Sequence, residues 1–204
     1  MQSKFLALCA VAVLVANPGS AQAQVGNGGA TYSDVNNKNQ WSEFMPKFVT
    51  ATLVSIEAQG RLMTAVGLSA QATALDNQAK DLSRTTPANL IEDLMTARSA
   101  NSKMLRAKVA AGGINLDAAT KQQFGEGIDF LARAIKQYDE LSEDLPGLKL
   151  QMRGAGEKAR NGLFVAKSIT GYVKEAREEL AVALAFATAN NIPYPAESSA
   201  VLKP

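Results

Sequence analysis

Apolar residues recur at alternating steps of four and three in four stretches of the chain, the spacing that aligns them on one face of an α-helix. The cleanest stretch runs from Gly156 to Asn191 without a proline, with Gly162, Ala166, Ile169, Val173, Ala176, Leu180, Ala183 and Ala187 in register. At 1.5 Å rise per residue it predicts a helix roughly 50 Å long. A helix of that length cannot bury its stripe alone, so the pattern calls for partners of similar length.

The first partner is predicted to start near Trp41-Ser42, with Ser42 as N-cap and Glu43 in the first turn. Pro46 fits only a first turn, so regular helix is expected from there. Its stripe reads Val49, Leu53, Ile56, Gly60, Met63, Gly67, Ala70 and Ala74, and fades near Arg84. Gly60 and Gly67 share that stripe and are expected to face the interior, where a helix or a side chain such as Phe124 comes close. Leucine at either position would then overpack the core. The second partner is capped by Thr86, has Pro87 at its first position, carries Leu90, Leu94, Ala97, Asn101, Met104 and Lys108, and stops at Gly112-Gly113. The third opens with Leu116-Asp117, a staple-like hydrophobe before an N-cap. It carries Phe124, Ile128, Leu131, Ile135, Tyr138, Leu141 and Leu145, and Pro146-Gly147 is expected to end it. Its large residues complement the small ones of the first and fourth helices. Residues 148–155 are helical by pattern but interrupted by Gly154 and Gly156, and Asn190-Asn191 before Pro193 suits a left-handed cap.

These four segments predict an all-α fold, an antiparallel bundle of four long helices over residues 41–191. A Gly- and Asn-rich segment, 24–40, reads as a disordered arm, and 192–204 as an extended tail. Residues 1–23 read as a bacterial signal peptide. Lys4 supplies the positive region, Phe5 to Ala16 the apolar run, and Ala21-Gln22-Ala23 a cleavage site. About a dozen apolar residues are too few to span a bilayer. The expected destination is periplasm or medium.

Composition narrows the chemistry. Among 204 residues, 21 Lys and Arg face 19 Asp and Glu, a balance that gives no reason to expect nucleic acid. Histidine is absent and the one cysteine, Cys9, falls in the leader. A mature chain without thiol or imidazole has no disulfide framework, no Cys or His zinc site and no Ser-His-Asp or cysteine nucleophile. Asp139, Glu140, Glu143 and Asp144 crowd the end of the third helix. Their spacing is not that of an EF-hand, and ion pairing with Lys149, Arg153, Lys158 and Arg160 across the turn is expected. Glu175, Glu178 and Glu179, with Glu92 and Asp93, lack the Glu-x-x-His of a di-iron bundle and read as solvated surface. Met45, Met63, Met95, Met104 and Met152 are unclustered and read as core rather than Cu(I) ligands.

No cofactor, metal site or catalytic constellation emerges, and the reading is of a non-enzyme. The expected function is an exported binding or accessory protein that presents helix faces to an unidentified protein partner. The alternatives are a membrane-active helical protein and a small-ligand-binding bundle, whose pocket would be lined by Asn101, Tyr138 or Tyr172. Asn101 falls on its seam, either as a ligand contact or register residue, or at the seam's edge bonded to water.

Overall fold

The computed structural model describes residues 32–83, 85–151 and 157–203, with side chains described for 43–83, 85–145 and 164–203. Its elements are α1 (Tyr32–Ala65), α2 (Ser69–Ala79), α3 (Ala88–Ala111), α4 (Ala118–Gln151), α5 (Glu157–Ala189) and a short 3-10 helix, Ala196–Leu202. The described residues are thus all-helical, without a strand. The expected leader, the first part of the arm and the basic residues Lys149, Arg153, Lys158 and Arg160 lie outside the described residues or side chains.

The third and fourth predicted helices bury the faces their spacing assigns. On α4, Phe124, Ile128, Leu131, Ile135, Tyr138, Leu141 and Leu145 are all buried. On α5, so are Ala166, Ile169, Val173, Ala176, Leu180, Ala183 and Ala187, while Gly162 lies outside the described side chains. The two helices run in opposite directions. Lys121 Nζ near the start of α4 donates to the Asn190 carbonyl at 2.8 Å, and Arg177 reaches Asp139 farther along at 2.8 Å. Asp117 caps α4 as expected, its Oδ1 accepting the Thr120 N–H at 2.8 Å. At the C-terminal end of α5, Asn191 has φ +52°, and the Ile192 N–H reaches back to the Ala187 carbonyl at 2.9 Å, closing a Schellman motif.

Four expectations are corrected. The first predicted helix is two helices. Gly67 adopts φ +86°, and the Leu68 N–H bonds the Met63 carbonyl at 2.8 Å, so the glycine ends α1 and α2 starts afresh at Ser69. Gly67 is therefore exposed, and a Cβ at either Gly60 or Gly67 would meet nothing within 4 Å. The inward face of α1 keeps Ile56 and Met63 of the predicted stripe and spreads to one side of it. Phe44, Phe48, Ala51, Ser55, Ala58 and Leu62 are buried, whereas Leu53 is 41% exposed. The close approach expected at the α1 glycines occurs on α4 instead, where a Cβ on Gly127 would come within 2.8 Å of Leu62 Cγ.

The second correction concerns prolines. α1 begins at Tyr32, taking in the later part of the assigned arm, and carries Pro46 in its interior. α4 likewise runs through Pro146-Gly147 to Gln151. An interior proline costs about 3 kcal/mol. At Pro46 the burial of Phe44, Met45 and Phe48 on either side offsets it. Third, α3 is rotated by one residue from prediction: Ile91, Leu94, Met95, Arg98, Asn101, Ser102 and Leu105 face in, and Leu90 and Met104 face out. Fourth, the C-terminal segment is no free tail. Ile192 and Ser198 are buried, Val201 and Leu202 pack on the core, and the Pro193 carbonyl fills the space a side chain on Gly125 would need.

The core has two main parts. One gathers Leu62, Met63, Leu105, Phe124, Ile128, Leu180 and Ile192. The other gathers Phe44, Phe48, Ile91, Met95, Tyr138, Ile169 and Val173.

Two predictions follow from these helix ends. Gly60→Ala gains helix propensity in open space and should raise stability by about 0.5–1 kcal/mol. Gly67→Ala places a side chain at positive φ and should lower it by about 1–2 kcal/mol. Opposite shifts in denaturant midpoint are expected, and equal shifts would contradict the split at Gly67. The Thr120 N–H and hydroxyl hold the Asp117 carboxyl below its usual 3.8. Its cap therefore contributes fully above pH 3.8 and is lost as pH falls through the lower folded value. Asp117→Ala should melt below the parent at neutral pH, and the gap should close in strong acid.

Candidate functional site

Between the two apolar parts lies a layer of polar side chains with no counterpart in the predicted stripes. α1 contributes Thr52, Ser55 and Gln59, α3 contributes Arg98 and Ser102, and α5 contributes Glu179. All six are buried, the Arg98 and Glu179 side chains at 0% exposure. These positions are inward because each helix's apolar neighbours pin the face: Ala51 and Leu62 on α1, Met95 and Leu105 on α3, Ala176 and Leu180 on α5.

Arg98 Nε donates to Ser55 Oγ at 2.7 Å. Its Nη2 stands 4.0 Å from Glu179 Oε2, an ion pair without a hydrogen bond, and neither terminal nitrogen is hydrogen-bonded to a described residue. Gln59 Nε2 lies between the two, donating to the Glu179 carboxylate at 3.2 Å and to the Arg98 backbone carbonyl at 3.1 Å. Burial pushes the Glu179 carboxyl above its usual 4.5, against the pull of the Arg98 guanidinium and its polar neighbours. Around this layer, Ser99 bonds Glu175 at 2.7 Å and Arg106 bonds Glu178 at 2.7 Å, so α3 is tied to α5 along its length.

Of the three residues expected to line a pocket, Tyr138 and Tyr172 share one apolar cluster and Asn101 lies elsewhere, against α2. Tyr138 is wholly buried, donating its hydroxyl to Thr52 Oγ1 at 3.0 Å and lying against Phe48, with ring centres 6.3 Å apart. Burial pushes its phenol up, and does the same to half-buried Tyr172, which packs on the same apolar cluster. Asn101 sits apart, 7% exposed, and donates to the Gln71 carbonyl at 3.4 Å, fastening α3 to α2.

The reading of Glu179 as solvated surface is corrected by its burial, whereas Glu178 is exposed and Glu175 half-buried. In the acidic group of α4, Asp139 pairs with Arg177 and Asp144 stands 3.8 Å from Lys47, while the basic residues expected as partners lie outside the described side chains. Burial nonetheless holds the Asp139 carboxyl above its usual 3.8, Arg177 opposing and Glu143 adding to the shift. Among the described residues no group of three or more His, Cys, Asp and Glu is placed to hold a metal ion. Met45, Met63 and Met95 are core residues, Met104 is 39% exposed, and Met152 lies outside the described residues.

Two adjoining depressions lie on the surface of the described residues. One, of about 570 Å³, lies between the end of α2 and the start of α3, and includes Asp81, Leu82, Thr86, Leu90 and Asp93. The other, of about 460 Å³, lies between α1 and α2 and includes Leu53, Asp76, Lys80 and Leu82. Leu82 belongs to both.

Arg98→Met would leave Glu179 buried without its counter-charge, and a loss of about 3–5 kcal/mol is expected at neutral pH. Without the guanidinium the Glu179 carboxyl rises further above 4.5. A raised folded value means that the folded state holds the proton more tightly, so the variant's deficit should narrow as pH falls towards 4.5. Arg98→Met/Glu179→Leu removes both charges and should match or exceed the parent. Urea titrations at several pH values read all three. No protein-family model, no curated protein and no solved structure matches the chain.

Proposed function

We propose that this is an exported, non-enzymatic accessory protein, an antiparallel bundle of four long helices, α1, α3, α4 and α5, that acts by presenting a helix face to a protein partner. The leader pattern in residues 1–23 supports export to the periplasm or medium. One observation carries the functional reading. Leu53 and Leu90 remain 41% and 52% exposed beside depressions joined through Leu82, while the interior polar layer is sealed from the surface. Leucines exposed beside a depression, on helices whose other faces are filled, suit a surface that is covered on association.

Cross-linking in the native periplasm followed by capture of this chain should recover a protein partner in defined ratio. Liposomes loaded with dye should stay intact at the same protein concentration. Capture of nothing specific would defeat the reading. Dye release would replace it with membrane activity, although no helix among the described residues is long and apolar enough to cross a membrane.

A further inference from the structure

The paired depressions where α1, α2 and the start of α3 meet have a definite chemistry. Their apolar members include Leu53, Leu82 and Leu90, and their acidic members include Asp76, Asp81 and Asp93. The three aspartates are exposed and form no ion pair with a described residue. Elsewhere on the surface, Asp129, Asp139 and Glu178 are each answered by an arginine of the same chain. Lys80, the lysine beside the aspartates, is engaged with the Asn77 side-chain carbonyl at 2.6 Å. The C-terminal carbonyls of α2 add partial negative charge and its last turn holds no basic residue, while the start of α3 offers the opposite pole. The balance leaves carboxylates around leucines.

We propose that this surface is the seat of a basic amphipathic segment of the partner protein, a helix or extended stretch with lysines or arginines flanking leucine-sized anchors. The inference rests on the partner-binding reading above and gives it a site. Each part of the chemistry selects the occupant. The exposed Leu53 and Leu90 are covered only by an apolar face, as when an amphipathic helix is laid in a groove. The three carboxylates favour cations and raise the association rate of a basic partner. The same carboxylates repel an anionic bilayer, so this face suits protein rather than lipid.

The test uses the full chain and two synthetic peptides: one alternating leucine and lysine faces at helical spacing, and a twin with glutamate in place of lysine. The lysine peptide should bind, more weakly as salt rises, and the twin should not. Asp81→Asn/Asp93→Asn and, separately, Leu90→Asn should each weaken binding by about tenfold or more, the loss of a well-placed contact. Melting curves must match the parent, and these exposed positions should leave them unchanged. Equal binding of both peptides, no binding of either, or undiminished binding by the variants would overturn the proposal. Preferential binding to phosphatidylglycerol vesicles would do so as well. Periplasmic cross-linking separates the two claims. A partner captured equally by parent and Asp81→Asn/Asp93→Asn sinks this site and spares the partner reading, whereas no capture by either sinks both.

Discussion

A guanidinium and a carboxylate sealed from water are the constraint to which the rest of the helical packing answers. Arg98 and Glu179 stand 4.0 Å apart with no exposure. Two such charges cost several kcal/mol each to desolvate, and their attraction returns that only when both are held in place. The holding falls to α1: Ser55 takes the Arg98 Nε–H, and Gln59 bridges the carboxylate and the Arg98 carbonyl. Sliding α3 by one turn would set the guanidinium against the apolar clusters on either side. Apolar packing alone tolerates such slips among leucines and alanines; a buried charge pair does not. The polar layer therefore acts as a register mark shared by α1, α3 and α5.

The same layer explains what could be read from sequence. On α4 and α5 the large buried positions are apolar or aromatic apart from Glu179, and the 4-3 spacing finds the face directly. On α1 the inward face includes Thr52, Ser55 and Gln59, and on α3 it includes Arg98 and Ser102. An apolar pattern search passes over these and settles one or two residues round the helix, onto Leu53, Leu90 and Met104. A signal was present. Arg98 lies four after Leu94 and four before Ser102, and Glu179 lies three after Ala176, so each shares the spacing of buried neighbours. Only a partner charge on another helix makes such positions tenable, and spacing within one helix cannot reveal that partner. The Gly67 break was hidden differently. A glycine in periodic sequence reads as a small interior residue until its positive φ is seen.

Of the candidate site, Tyr138 was legible as a seam residue, but its hydroxyl contact with Thr52 joins it to the polar layer rather than to a pocket. Asn101 and Tyr172 serve different contacts. The exposed leucines, by contrast, entered the sequence reading as core. What marks them is the mismatch between a side chain that belongs inside and a backbone position that faces out. The interior thus holds its ionisable groups for packing, and the outer face between α1 and α3 holds the apolar area left over.

The C-terminal segment divides the core into a half that depends on it and a half that does not. Ile192, Val201 and Leu202 complete the apolar part that includes Phe124 and Phe186, and Arg177 holds the segment by its Val201 carbonyl while pairing with Asp139. The other apolar part, around Phe44, Phe48 and Tyr138, draws nothing from the segment. Undocking of residues 192–202 would therefore bare Phe124 and its neighbours while leaving that second part covered, an opening local to one half of the core.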